Sequence, residues 1–269
     1  MEINRSNIFE IINKASLQPD KDYGQNFLVE PEISNKIVQA LKIEDNDNVI
    51  EVGPGLGSLT HYLSLSDAAI TAVDIDLRMT HFLKVVYQDS NINIVENDIR
   101  KVDVSNYNKV IGNLPYNITT EAIQYFLLNA SKAKRMVFMI QSETYNHFSD
   151  ASGKEYGPTS VLIHLLGNIE KLFTVKAGSF HPVPKCSSVV FAINIDSSKN
   201  RESAIKAFKL AKSLFANRRK TILNNLVNHL KDRDVANKVC LDLDINPLAR
   251  PEQLSPEIYL AISDYLCNK

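Results

Sequence analysis

Asn113-Leu114-Pro115-Tyr116 holds a side-chain amide, a backbone carbonyl fixed by the following proline and an aromatic ring within four positions. Together these groups can grip a planar base that carries an exocyclic amine. The Asn113 side-chain oxygen and the Leu114 carbonyl would accept the two N–H bonds while Tyr116 stacks on the ring. Such an amine is a poor nucleophile because its lone pair is delocalised into the ring. Two acceptors on its hydrogens favour a pyramidal nitrogen with its lone pair aimed at a methyl sulfonium, so the chemistry would rest on orientation and electrostatics. The structural alternative is a β-turn in which Pro115 ends a strand and Tyr116 fills core.

A second constellation lies upstream. Glu51-Val52-Gly53-Pro54-Gly55-Leu56-Gly57 places three of the chain's nine glycines within five positions. A tight turn of this kind lets backbone approach a ligand closely, with helix N-terminal amides facing it. It departs from the dinucleotide fingerprint G-x-G-x-x-G, since Leu59-Thr60 follow, and a purely structural turn remains open. Asp74 then stands where a carboxylate would hold a ribose hydroxyl pair, with Asp76 the better candidate for a helix cap. Asp98 offers an acceptor for an adenine amino group, and the apolar Ile99 beside it can cover the ring. The set suits an adenosine cofactor without a pyrophosphate, because Glu51 would repel phosphates and attract an amino-acid ammonium group.

Elements that position these residues are legible from periodicity. Apolar, β-branched runs at 48–53, 69–73, 92–95, 109–111 and 136–140 alternate with helically spaced segments such as Met79, Phe82, Leu83, Val86 and Ile118, Ala122, Ile123, Phe126, Leu127. Five βα repeats with nearly continuous apolar strands predict a parallel sheet covered on both faces, an α/β doubly wound fold. Runs at 169–176 and 188–195 predict a closing pair of strands, antiparallel at least in part. From about 198 the pattern turns helical and charged, broken at Pro247, Pro251 and Pro256, which puts a domain boundary near Asp196-Ser197-Ser198.

The chain has 269 residues, 44% of them hydrophobic, and three cysteines far apart with no C-x-x-C pair. Neither a disulfide framework nor a thiolate zinc site is expected, and reduced thiols in a cytosol are. The six histidines lack H-E-x-x-H spacing, so no metal is predicted. The N-terminus is polar at once and no apolar run approaches the roughly 18 residues that span a bilayer, so no membrane partner and a cytoplasmic location are expected. The net charge of -1 hides an asymmetry. Residues 198–269 carry 13 basic and 8 acidic side chains, net +5, against -6 for residues 1–197. Between Lys199 and Lys220, eight basic residues face Glu202 alone. Such a cluster is either a solvated helix face or a grip on nucleic-acid phosphates.

Asp22-Tyr23-Gly24-Gln25-Asn26-Phe27-Leu28, Glu51 to Gly57, Asp74, Asp98, Asn113-Leu114-Pro115-Tyr116 and Phe180-His181-Pro182-Val183-Pro184 together resemble the rRNA adenine N6-dimethyltransferases, over about residues 22–229. The resemblance implies a Rossmann-like class I methyltransferase sheet, mostly parallel and seven-stranded, in residues 1–197, and a small all-helical RNA-binding domain in 198–269. It also implies S-adenosylmethionine bound by Asn26, Leu28, Gly53, Asp74, Asp98 and Asn113, with Gln25, Glu51, Gly55 and Ile99 as further candidates. The catalytic residues would be Asn113, Leu114, Tyr116 and Phe180, the last stacking on the other face of a flipped target adenine.

Residues Ser213 to Leu226 resemble the basic helix of the KsgA branch rather than the Erm branch, which modifies large-subunit rRNA. The KsgA branch dimethylates two adjacent adenosines in the terminal hairpin of small-subunit rRNA. RNA contacts are then implied for Lys212, Arg218, Arg219 and Lys220, within a pre-30S particle and by a monomer. A non-catalytic RNA-binding assembly factor on the same fold is the rival reading. Some positions depart from the family pattern: Asp74 stands where Glu is commoner, residues 141–148 lack the usual Lys and Arg, and Cys186-Ser187-Ser188 replaces a more usual Val-Asp-Ser.

Overall fold

A computed structural model describes residues 1–14, 17, 25–115 and 117–267. Nine strands form in chain order: β1 (Phe27–Leu28), β2 (Asn48–Val52), β3 (Ala69–Asp74), β4 (Asn93–Glu96), β5 (Lys109–Asn113), β6 (Arg135–Gln141), β7 (Gly167–Val175), β8 (Phe180–His181) and β9 (Ser188–Ile195). The α-helices are α1 (Ile8–Lys14), α2 (Pro31–Ala40), α3 (Thr60–Leu63), α4 (Leu77–Val86), α5 (Thr119–Asn129), α6 (Ser142–Ser149), α7 (Pro158–Leu166), α8 (Arg201–Phe215), α9 (Ile222–Leu230), α10 (Arg233–Asp242) and α11 (Pro256–Cys267).

Seven strands form one sheet in the order β4-β3-β2-β5-β6-β9-β7. The five from β2 to β6 are parallel, and β9 runs antiparallel to β6. Val49, Ile50, Val110, Ile111 and Val137 are buried, as strands covered on both faces require. The chain leaves β2 toward β3 and β4 on one side, then returns to place β5 and β6 on the other. A crevice opens at such a reversal, beyond the carboxyl ends of the central strands. The glycine turn follows β2 and Asn113 ends β5, so topology brings the two chemical constellations together.

By compactness the chain forms two units, Met1–Glu143 with Glu170–Asn194, and Thr144–Ile169 with Ile195–Lys269. The sequence places a single boundary at 197/198; in the structure the second unit also takes in residues 144–169. The reason is α7, whose Val161, Leu162, Ile163, Leu165 and Leu166 are all buried. A helix apolar on every side must be covered all round, and α7 packs against α8 and α11.

Within the second unit, Ser213 to Leu226 is not one basic helix. Helix α8 stops at Phe215, and Thr221 caps α9 by accepting from the Asn224 N–H. The turn between them is pinned by the buried amide of Asn225, which donates to the carbonyls of Asn217, Lys220 and Thr221 at 3.1–3.2 Å. Arg218, Arg219 and Lys220 therefore sit on a turn. Among the described residues no helix is long and apolar enough to cross a membrane, and no group of three or more His, Cys, Asp or Glu is placed to hold a metal.

Candidate active site

A cavity of about 300 Å³ opens at the carboxyl ends of β2, β3 and β5 within the first unit. Gln25, Asn26, Leu28, Glu51, Gly53, Gly55, Asp74, Asp98, Ile99, Asn113, Leu114 and Phe180 all line it. These are all the cofactor and catalytic candidates named from sequence except Tyr116, which lies outside the described residues, as do Asp22, Tyr23 and Gly24.

The floor of the cavity is the glycine turn. Gly53, Gly55 and Gly57 all take positive φ, between 55° and 93°. At Gly55 the left-handed backbone already favours glycine, and a β-carbon would lie 3.3 Å from the Phe27 ring, which would have to shift by a few tenths of an ångström. Gly112, in β5, faces a different constraint: a β-carbon there would meet the Val52 carbonyl oxygen at 2.8 Å. Close approach of β2 and β5 at the crevice requires glycine at that point.

Four carboxylates near this turn sit in distinct electrostatic settings. Asp76 caps α4, accepting from the Arg78 N–H at 3.0 Å, and also accepts from Gln25 Nε2 at 2.9 Å. Burial pushes its pKa up, but the bonds from Arg78 and Gln25 outweigh that and leave it below the ordinary carboxylate range. Asp74 lines the cavity, its carboxylate accepting from the N–H groups of Gly55 at 3.1 Å and Asp76 at 3.0 Å. Burial raises it to about 6 against those same backbone donors. Glu51 is 1% exposed and accepts from the Thr60 hydroxyl at 2.7 Å. Burial raises it to about 8, opposed by Thr60 and reinforced by the neighbouring Asp74. Asp98 behaves oppositely: Arg100 donates to it at 2.6 and 2.9 Å and holds it well below the usual range.

That Arg100 pairing is absent from the sequence reading, although the i, i+2 spacing of Asp98 and Arg100 in a one-turn helix is the signal that could have revealed it. An adenine amino group reaching Asp98 must share the carboxylate with a guanidinium. Thr60 was missed as well, and nothing in the order of residues from 51 to 60 marks it as the partner of Glu51.

On the catalytic side, the Leu114 N–H pairs with the Met139 carbonyl at 3.0 Å, which continues the β5–β6 ladder one residue past the strand and fixes the main chain there. The Asn113 amide nitrogen donates to the Asn26 carbonyl at 3.2 Å. A carbonyl partner demands the NH₂ end of the amide. The oxygen of Asn113 is thus left for another group, and no described residue donates to it. Phe180 reaches the cavity through a two-stranded antiparallel pair in which Leu28 of β1 faces Phe180 of β8, braced by a Val29 N–H to Ser179 carbonyl bond at 2.9 Å. It is 3% exposed and packs in the same apolar cluster as Leu28 and Ile37.

The departures at residues 141–148 and 186–188 meet one another. Gln141 pairs with Ser188 in the β6–β9 register, and the Ser142 N–H and hydroxyl both donate to the Ser187 carbonyl at 3.0 Å. Of the RNA candidates, Lys212, Arg219 and Lys220 are exposed. Arg218 is not available in the same way. Its guanidinium donates to the Lys154 carbonyl at 2.8 Å, lies 3.8 Å from the Glu252 carboxylate and sits over the Phe215 ring, 5.9 Å from its centroid.

The geometry fits an adenosine bearing a cationic amino-acid tail: buried carboxylates by the glycine turn, a carboxylate at the end of each of two neighbouring strand segments, and a backbone cradle that excludes β-carbons. Comparison with known proteins agrees. The family model for ribosomal RNA adenine dimethylases matches residues 16–268. The chain is 34% identical over 251 residues to a ribosomal RNA small subunit methyltransferase A of Fusobacterium nucleatum, covering 90% of this chain and 95% of that one. It is 36% identical over 277 residues to the protein of the same name from Acinetobacter baylyi, covering 98% and 97%. The fold is similar to that of a dimethyladenosine transferase from Plasmodium falciparum, with a TM-score of 0.75 at 24% identity over 90% of this chain and 98% of that one. It is also similar to the 23S rRNA methyltransferase ErmE, with a TM-score of 0.69 at 21% identity over 90% and 100%. On the family match and the identity to these relatives, this chain is a member of the ribosomal RNA adenine dimethylase family, built on the class I methyltransferase sheet.

Proposed function

We propose that this chain dimethylates N6 of two adjacent adenosines in the 3′-terminal hairpin of small-subunit rRNA, in the cytoplasm, on a partly assembled small subunit and as a monomer. The observation that carries the reading is the Asn113 amide. With its nitrogen tied to Asn26, its oxygen is oriented to accept from the target amine, and the Leu114 carbonyl is the second acceptor. Phe180 packs on the base from one side, and Tyr116 is assigned the other. S-adenosylmethionine supplies the electrophilic methyl group when bound. Asn26, Leu28, Gly53, Asp74 and Asp98 would hold it, and Glu51 would face its ammonium end. Asn113 and Leu114 aim the N6 lone pair along the line of transfer, and the amine proton leaves to water once nitrogen has become cationic. No side chain needs to act as nucleophile.

Catalysis is assigned to the first unit and much of the RNA grip to the second. Lys212, Arg219 and Lys220 contact phosphates in this reading, whereas Arg218 ties the second unit together. Replacing Lys212, Arg219 and Lys220 together by Gln is expected to reduce the slope of log affinity against log salt by about two. Arg218→Met should instead lower the melting temperature and leave that slope nearly unchanged; binding titrations from low to high salt check both.

The deciding experiment is transfer of labelled methyl groups to small subunits isolated from cells lacking this protein, with naked large-subunit RNA as the comparison. Label in N6-dimethyladenosine of the small-subunit RNA supports the reading. Label only in large-subunit RNA, or none, overturns it.

A further inference from the structure

Helix α1 buries Ile8 and Ile12 in a cluster with Phe27 and Leu56, the residue between the second and third glycines of the cofactor turn. Phe9 then points away from that cluster and is 59% exposed. Its ring meets the His181 ring edge-on, with centroids 4.7 Å apart and planes at 64°. Four residues earlier, the Arg5 guanidinium donates to the Gly178 carbonyl at 2.8 Å and to Glu30 at 2.6 Å. The N-terminal segment is therefore fastened on both sides of Phe180, at 178 and at 181. Apart from this edge contact most of the Phe9 ring faces solvent, and the pair lies one residue along the strand from Phe180 in the cavity wall.

We propose that Phe9 and His181 form an aromatic ledge on which an unpaired base next to the target adenosine stacks. This rests on the rRNA reading above. An adenosine drawn out of its stack leaves its neighbour with one face uncovered, and an aromatic surface beside the cavity replaces the lost contact. Stacking of this kind tolerates any base, because every base has a π-face. The ledge therefore selects for an unpaired neighbour, as in a loop, and not for its identity.

The test uses the full chain with small subunits reconstituted from rRNA carrying 2-aminopurine beside the target. Wild type should quench the fluorophore. Phe9→Leu, which keeps an apolar body, and His181→Ser should each lose most of the quench. Both should raise KM for small subunits about tenfold, with kcat at saturating substrate and KM for the methyl donor unchanged. Unchanged quenching and unchanged KM in both variants would overturn the ledge. A lowered melting temperature or a raised donor KM would also overturn it, by showing that the pair serves only to hold α1. If wild type fails to methylate the particles, the functional reading falls and takes the ledge with it; methylation with indifferent variants removes the ledge alone.

Discussion

Asn113→Ala should lower kcat by roughly 10²- to 10³-fold, the size of effect seen when one oriented polar group is removed from a reacting centre. The side chain is only half-buried, and the hydrogen bond it gives up, to the Asn26 carbonyl, is worth about 1 kcal/mol, so the melting temperature should barely move. KM for small subunits should also change little, because an acceptor on an amine that becomes cationic gains most of its strength in the transition state. A parallel fall in kcat and kcat/KM is the signature to look for. Asn113→Asp separates the two ends of the amide: it keeps an acceptor but sets a carboxylate against the Asn26 carbonyl. It should therefore recover only part of the rate and lose more stability than the alanine. Full turnover by Asn113→Ala would remove the catalytic assignment.

Glu51 should couple methyl-donor binding to pH. In the ligand-free chain its carboxyl is held neutral up to about pH 8 by burial. A cofactor ammonium placed beside it favours the carboxylate, so binding expels a proton. Affinity should then rise as pH climbs from about 6 to 8, by up to about tenfold per unit. Asp74, raised to about 6, extends the dependence to lower pH. Stability runs the other way. A carboxyl whose folded pKa lies above its unfolded value binds its proton more tightly in the folded chain. Its contribution is present below the unfolded value of 4.5 and is lost as pH rises through about 8. Glu51→Gln should flatten both curves, making the ligand-free protein more stable at pH 8 by an amount on the order of a few kcal/mol while weakening the donor. Thermal unfolding with and without S-adenosylmethionine across pH 5–9 reads both effects. A pH-independent affinity in wild type would remove Glu51 from the ammonium site.

The central parallel strands were legible because they are buried on both faces, so that a run such as Val49-Ile50 or Met136 to Ile140 has to be apolar throughout, whereas the edge strand β4 buries only Ile94. The glycine turn and Asn113 were legible because their residue types are improbable unless something is held there. Other features had no local signature. Strands β1 and β8 are two residues each, too short for any period, yet they bring Phe180 to the cavity; periodicity alone assigns Phe180 to core, and its cluster with Leu28 and Ile37 shows that it serves as core too. Helix α7 reads as ordinary interior apolar sequence, so nothing announced that it belongs with α8 and α11. The turn at 216–220 was expected to be helical only because residues 213–226 resemble the family's basic helix. What breaks it is Asn225, buried several residues downstream, together with a threonine cap. Arg218 shows the same limit: its charge is visible in the sequence, but its partners near 154 and 252 are set by tertiary structure.

The pairing of β1 with β8 puts Leu28, proposed above to hold the cofactor, and Phe180, proposed to stack on the base, opposite each other in one register. Whatever moves one strand moves the other. In the proposed arrangement, a donor settled against Leu28 should steady the wall on which the adenosine stacks, and a stacked adenosine should steady the donor's bed. Energetic coupling between two ligands is reciprocal by thermodynamic necessity, so each should tighten the other by the same factor. Dimethylation adds a practical demand, since spent donor must leave and fresh donor enter while the same nucleoside awaits its second methyl group. If both ligands lean on this one short ladder as proposed, departure of the first product should loosen the grip on the half-finished base, and four residues of backbone should help set the lifetime of the monomethylated intermediate.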